Sequence, residues 1–527
     1  MRRVVNQSRL FTFLLLAYSF ACANSDAQSS RQSAEAQAHL EAGLQFAQMG
    51  KLESAEAELR QAVELAPPSA ELLTSLGTVL AMEKELEESS SLFKEALKLN
   101  PGDETARRYL AANLWQLHRF PEAKQNLETL LKQKPDDEQG LLLFGMVSEN
   151  LKDYPAAAKA LASVPNLTIA RPESIAALAR SYYHVGEQKK ARSWLNKLED
   201  VPSVFLGSQI ADDAADYPTA EKMLTAIQGS FPDQGKVGYS LALVQYHAKR
   251  FAQSQSTLVR LLSSGYQTSE IYNLLGWCSQ QQQHYQDAVR AFQEAVKLDP
   301  QNERNYLDLG TILLGEGRLV PALELAKRTA NAFPDSSPAF LLKGQVELQA
   351  TQFSDAVDSF TQALQLGAAN PDATIGLARA QTGAGMADQA KTTLETAIVR
   401  FPEKARLELE LAQLLLKDAE TGDNGAEARA ARLLDSAVAR DPSLVEAHYQ
   451  LGELALRRDQ ALMALPHLEK AAALDPESAK IHFALSRAYR RVGQSVEAAK
   501  QAALYEELKE KEMRRAREAS QDPSSNN

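Results

Sequence analysis

Cysteine is nearly missing from this chain, with two in 527 residues, Cys22 and Cys278. Were Cys22 removed with a leader, the remaining thiol could form no internal disulfide, so the fold must hold by packing alone. Aromatic residues are also sparse, at 7%. Together with abundant alanine and leucine, this disfavours a large sheet and favours helix. There is no excess of positive charge. Fifty-seven basic side chains face 68 acidic ones, a formal net charge of -11, where a general nucleic-acid binder would carry a basic footprint. Histidine numbers only 8, scattered singly. No Walker A loop and no His-Glu-x-x-His occurs, and the two glycines of "GAGMAD" at 383–388 lack the third that a dinucleotide loop requires.

Long apolar runs are missing too, apart from one. "MRR" and Arg9 precede "LFTFLLLAYSFA", about a dozen residues, and then comes Ala21-Cys22-Ala23. A span across a bilayer takes about 20 apolar residues. A charged start, a short apolar middle and a small-x-small exit instead predict a secretory signal peptide over 1–23, followed by a disordered linker over 24–35. The stretch Ser19-Phe20-Ala21-Cys22 also resembles a bacterial lipobox, with Ser19 standing where an aliphatic residue is usual. The expected location is therefore exported, periplasmic or secreted. The alternative is an outer-membrane lipoprotein anchored through Cys22, the single route to a membrane that this reading allows.

What the chain does have is a period. Pro67, Pro101 and Pro135 are 34 residues apart, as are Pro300 and Pro334, and Pro442 and Pro476. The unit 269–302 reads "SEIYNLLGWCSQQQQHYQDAVRAFQEAVKLDPQN". Tyr272, Leu275, Gly276, Ala288, Phe292, Ala295 and Pro300 fall at positions 4, 7, 8, 20, 24, 27 and 32. Ser279 holds position 11, where a tyrosine is usual. This pattern resembles the tetratricopeptide repeat, two helices per 34 residues, and the resemblance covers nearly all of the chain after the leader. It implies an all-α fold, a right-handed superhelical solenoid of about fourteen helix-turn-helix units.

Each recurring residue has a physical reason. Gly276 and Ala288 carry almost no side chain, so two helices can approach closely, and Phe292 fills the space between them. Asp299-Pro300 ends the second helix, because the ring cannot continue the hydrogen-bond ladder. Gly50, Gly186, Gly317, Gly385 and Gly493 share position 15, where a helix end needs left-handed backbone. Alanine recurs at position 20 in twelve units, from Ala55 to Ala498, and Ser89 and Ser254 hold it in the other two. That register predicts an N-terminal array over 36–234, with compressed units near 172–234. A C-terminal array with its capping helix then covers 235–512, and a charged helix end and disordered tail cover 513–527. Within the compressed units "VPSVFLGSQIADDAADYP" reads as a short, weak first helix. The unit 405–444 has six extra residues, with "DAETGDNGA" read as their loop.

Fourteen repeats leave no stretch for a catalytic domain, so the chain reads as a non-enzyme, without cofactor or metal. The resemblance implies a concave groove lined by first-helix positions 2, 5, 9, 12 and 13. Carried onto this sequence, those positions include Arg180, Tyr183 and His184, then Tyr239, Tyr246 and His247, then Asn273 and Trp277. Aromatic rings with hydrogen-bonding tips are what binding hot spots are made of. A second, basic group is Lys480, Arg487, Arg490 and Arg491, suited to a carboxylate or an acidic segment. The expected function is an exported scaffold that binds peptide segments or partner proteins, in envelope assembly or secretion. The alternatives are a polysaccharide-binding export accessory, since groove aromatics can stack on sugars, or a non-catalytic helper subunit of an enzyme.

Overall fold

The computed structural model describes residues 32–165, 167, 172–367, 369–420 and 424–521. The expected signal peptide, the Cys22 anchor, most of the linker and the last six residues lie outside the described residues. Among the described residues there are 28 helices and no strand, beginning with a helix over 32–48 and ending with Ser495–Gln521. Taken in order they pair into the fourteen hairpins of a solenoid, first helices of 13 residues and second helices of 14 being the common lengths. The chain divides into two compact units, Met1–Thr257 and Leu258–Asn527.

Within each unit the repeat residues do what their size allows. A Cβ built on Gly276 would meet the Phe292 ring at 2.8 Å, and one on Gly77 would meet Phe93 at 2.9 Å. Phe93, Phe292 and Phe360 are completely buried. Of the position-20 alanines, Ala498 is 4% exposed and the others have no exposure. Ser89 and Ser254 are equally buried, and their hydroxyls donate to the Gly77 and Ala242 carbonyls across the hairpin at 2.6 and 2.7 Å. A serine therefore replaces alanine there without leaving an unpaired donor, which would otherwise cost about 1–3 kcal/mol.

The turn between the two helices is the same in thirteen hairpins. One residue takes left-handed backbone, and it always sits at position 15. The five glycines there have φ from 67° to 85°, and eight other residues, including Lys84, His118, Lys249 and Asp459, have φ from 56° to 68°. The turn of the remaining hairpin falls at 421–423, outside the described residues.

Two local expectations need correction. Val201–Asp213 is a full 13-residue first helix, not a short one. Asp200 caps it by accepting from the Ser203 amide at 3.0 Å, and Pro202 sits in its first turn, where no amide partner is needed. The compression falls on second helices instead: Gln188–Leu195 has 8 residues and Tyr217–Ile227 has 11. In the 405–444 unit the extra residues lengthen both helices, Ala405–Glu420 and Asn424–Arg440, to 16 and 17 residues. The stretch expected as a loop, 418–426, is helical at both ends, and its middle, 421–423, lies outside the described residues.

Candidate ligand-binding site

Arg180, Tyr183 and His184 end the helix Pro172–His184 and line one cavity of about 400 Å³ with Gln188, Ile210 and Asp213. Each is held by a neighbour. Arg180 is ion-paired with Glu149. The Tyr183 hydroxyl donates to Asp216 at 2.7 Å, and Arg192 reaches the same carboxylate at 2.6 and 3.0 Å. Burial would raise the Asp216 carboxyl, but the hydrogen bonds from Arg192 and Tyr183 outweigh it and hold the group below the usual range. Burial, then the bond to Asp216, pushes the Tyr183 phenol upward, so it stays a donor at any physiological pH. His184 is exposed and stacks on Tyr154, with centroids 3.8 Å apart and rings 9° from parallel. The short second helix Gln188–Leu195 borders this cavity.

The other predicted residues of the first unit lie on the helix Gln234–His247. His247 is exposed and its Nδ1 lies 3.0 Å from both oxygens of Asp212. Tyr239 and Tyr246 are half-buried, and Tyr246 meets Phe251 edge-on at 5.4 Å. In the second unit, Asn273 and Trp277 converge on Asp308 of the next first helix. The Asn273 amide donates at 2.8 Å and the indole Nε1 at 3.3 Å. The Trp277 ring also packs edge-on against buried Phe292 at 5.4 Å, so a good part of its surface is inter-helix core.

The basic group is partly neutralised from within. Lys480 pairs with Glu446 at 2.6 Å and Arg487 with Glu453 at 3.1 Å, each partner one repeat back. Arg491 reaches the Leu456 carbonyl and lies 3.5 Å from Asp459. Arg490 is exposed and makes no ion pair among the described residues. The same ladder runs elsewhere, as in Arg108–Asp137, Lys124–Asp153 and Arg458–Glu427. Opposite charges 29 to 34 residues apart are the mark it leaves in the sequence.

Two of the larger cavities are lined, Pro300 apart, by residues that the repeat pattern did not single out. Both are furrows between consecutive second helices, floored by the first helix between them. One, about 640 Å³, lies between Tyr285–Leu298 and Leu319–Ala332. The other, about 660 Å³, lies between Phe353–Leu366 and Ala387–Arg400. Among the described residues no three His, Cys, Asp or Glu side chains gather as metal ligands, and no helix is long and apolar enough to cross a membrane.

Profiles of the tetratricopeptide repeat match residues 40–104 and 250–303 in one form and 80–143, 280–346 and 347–414 in another. The chain belongs to the tetratricopeptide repeat family. Solenoids of this family generally bind other proteins or peptides, and its scaffolds are generally non-catalytic. The Arabidopsis thaliana protein CTR9 homolog is 23% identical over 146 residues, which is 28% of this chain and 13% of that protein. Among solved structures, yeast Tom70 superposes with a TM-score of 0.39 at 16% identity, covering 83% of this chain and 91% of that one. The APC/C hetero-tetramer Cut9-Hcn1 gives 0.37 at 13% identity, covering 87% and 97%.

Proposed function

We propose that this tetratricopeptide repeat chain is a non-enzymatic scaffold that is exported and holds peptide segments or partner proteins during envelope assembly or secretion. The observation that carries the binding reading is the cavity at Arg180, Tyr183 and His184. It combines a cation, a phenol oxygen left as an acceptor because its proton goes to Asp216, and a flat exposed imidazole. Its side chains are fixed by Glu149, Asp216 and Tyr154 before any ligand arrives, so little rotamer entropy remains to be lost on binding. Export rests on the charged and apolar leader ending at Ala21-Cys22-Ala23.

The test is capture with the chain lacking residues 1–23, followed by mass spectrometry of what is retained. His184→Ala should release the captured protein at least tenfold more readily and leave the circular dichroism unchanged. His184 lies on the surface, so its loss removes contact area without opening a core. Retention that is identical with and without the imidazole would place the binding surface elsewhere.

A further inference from the structure

We propose that the furrow between Phe353–Leu366 and Ala387–Arg400 is a second binding site, for a neutral saccharide. It is walled by second helices, floored by the first helix Pro371–Gly383, and does not depend on the cavity at His184.

The furrow at Tyr285–Leu298 and Leu319–Ala332 serves as an internal control, being the same place two repeats earlier. Shifting each residue by 68 maps Gln381 onto Leu313, Gln389 onto Pro321 and Thr393 onto Leu325. The fold therefore accepts apolar residues at these positions. In the repeat between, the equivalents of Gln381 and Thr393 are Glu347 and Ser359. There the Ser359 hydroxyl donates to Glu347 at 2.6 Å, and Lys343 closes the group at 3.0 Å. In the proposed site nothing closes it. Gln381 is 7% exposed, its Oε1 accepts from Thr393 at 3.0 Å, and its Nε2 has no partner among the described residues. The side chain is buried, but its Nε2 is reached by solvent at the cavity wall and stands open to an acceptor on a ligand.

The rest of the lining fits the same chemistry. Four threonines and two glutamines border the furrow. Thr392 and Thr396 donate to the Asp388 and Thr392 carbonyls at 3.0 and 2.8 Å, so their oxygens are left as acceptors. Phe401, partly buried against the core, lines one end, with the Arg400 guanidinium over its ring at 5.4 Å. Asp388 is ion-paired with Lys391 at 3.2 Å. Sugar hydroxyls both donate and accept, and the C–H face of a pyranose packs on a ring. A site with mostly neutral donors and acceptors, one aromatic, and the charged Asp388 and Arg400 at its border matches that ligand, and its volume lies within the range of about 300–1,000 Å³ usual for small-molecule sites.

The experiment is saturation-transfer NMR and calorimetry on the full chain with cellohexaose, maltohexaose and chitohexaose. An anionic oligogalacturonate and a neutral Gly-Ser dodecapeptide serve as controls. At least one neutral hexaose should bind saturably, and neither control should. Gln381→Leu with Thr393→Leu copies the lining two repeats earlier and should weaken that binding at least tenfold. Thr392→Ala with Thr396→Ala touches only exposed side chains and should also weaken it, which keeps the test decisive if the first pair fails to fold. The proposal is overturned if no hexaose binds, if both variants bind unchanged, or if a control binds as tightly as the sugars.

Discussion

Position 15 shows how one residue is constrained by backbone and not by contacts. A Cβ on Gly317 would meet nothing within 4 Å, yet its φ is +67°. Substitution there is expected to cost the left-handed penalty, about 1–2 kcal/mol for an L-residue, less about 0.5–1 kcal/mol of unfolded-state entropy that the glycine carried. Gly317→Ala should lower the unfolding free energy of its unit by the difference, and its midpoint accordingly. Lys249 already bears the penalty at φ 59°. Lys249→Gly relieves it while adding unfolded-state entropy worth about 0.5–1 kcal/mol, so its midpoint should hold or rise. Parallel urea titrations decide both.

Histidine supplies a pH dependence at the same scale. His448 and His467 place their Nδ1 atoms 3.2 Å apart, and burial first of all lowers both from the ordinary value, with the neighbouring imidazole adding to the effect on His448. The folded state therefore takes up these protons less readily than the unfolded one. The stability tied to neutral rings is fully present above the unfolded pKa of about 6.5 and falls as the pH drops from there towards the lowered folded values. Melting between pH 7.5 and 5 should show this loss, and His467→Gln should flatten it. An unchanged slope in the variant would assign the loss to other groups.

At the scale of the element, the hairpin is the unit that tolerates or rejects change. Ala288 is fully buried where two helices touch. Ala288→Leu must overpack that contact, at a cost of about 1–3 kcal/mol. Because a solenoid's stability is close to a sum of local and nearest-neighbour terms, amide exchange should accelerate in Ser269–Gln281, Tyr285–Leu298 and the adjoining helices. It should stay the same near Ala464. Exchange that rises everywhere would mean that the unit melts as one body. Insertions act differently, since the longer helices Ala405–Glu420 and Asn424–Arg440 pack Ala419 and Ala426 onto the same core and leave the Ala430 contact buried.

For the whole molecule, composition and leader carry the testable statement. Lacking disulfides, the described array relies on small-residue contacts and on modest surface ion pairs, each worth about 0–1 kcal/mol. The leader is expected to be cleaved, leaving an N-terminus near Asn24, or at a lipidated Cys22. Intact-mass measurement of the protein from its producing cell separates the two, and an intact Met1 would sink both.

The hairpin register was legible from residue identity alone, because Gly276, Ala288, Phe292 and Pro300 act through size and backbone geometry, and those depend on local spacing. The helical fold and the count of fourteen followed directly. The site was only half legible. Spacing placed Arg180, Tyr183 and His184 on one helix face, and the structure draws all three to a single cavity. Spacing could not show that Trp277 would turn to Asp308 and Phe292, or that Lys480 and Arg487 would be answered by Glu446 and Glu453. Phe292 apart, those partners lie about one repeat away, and a charge at that distance becomes a neighbour only once two hairpins have stacked. The Gln381 furrow was invisible for the same reason. Its open amide is defined by what fails to reach it, and only packed helices decide which groups can reach one another.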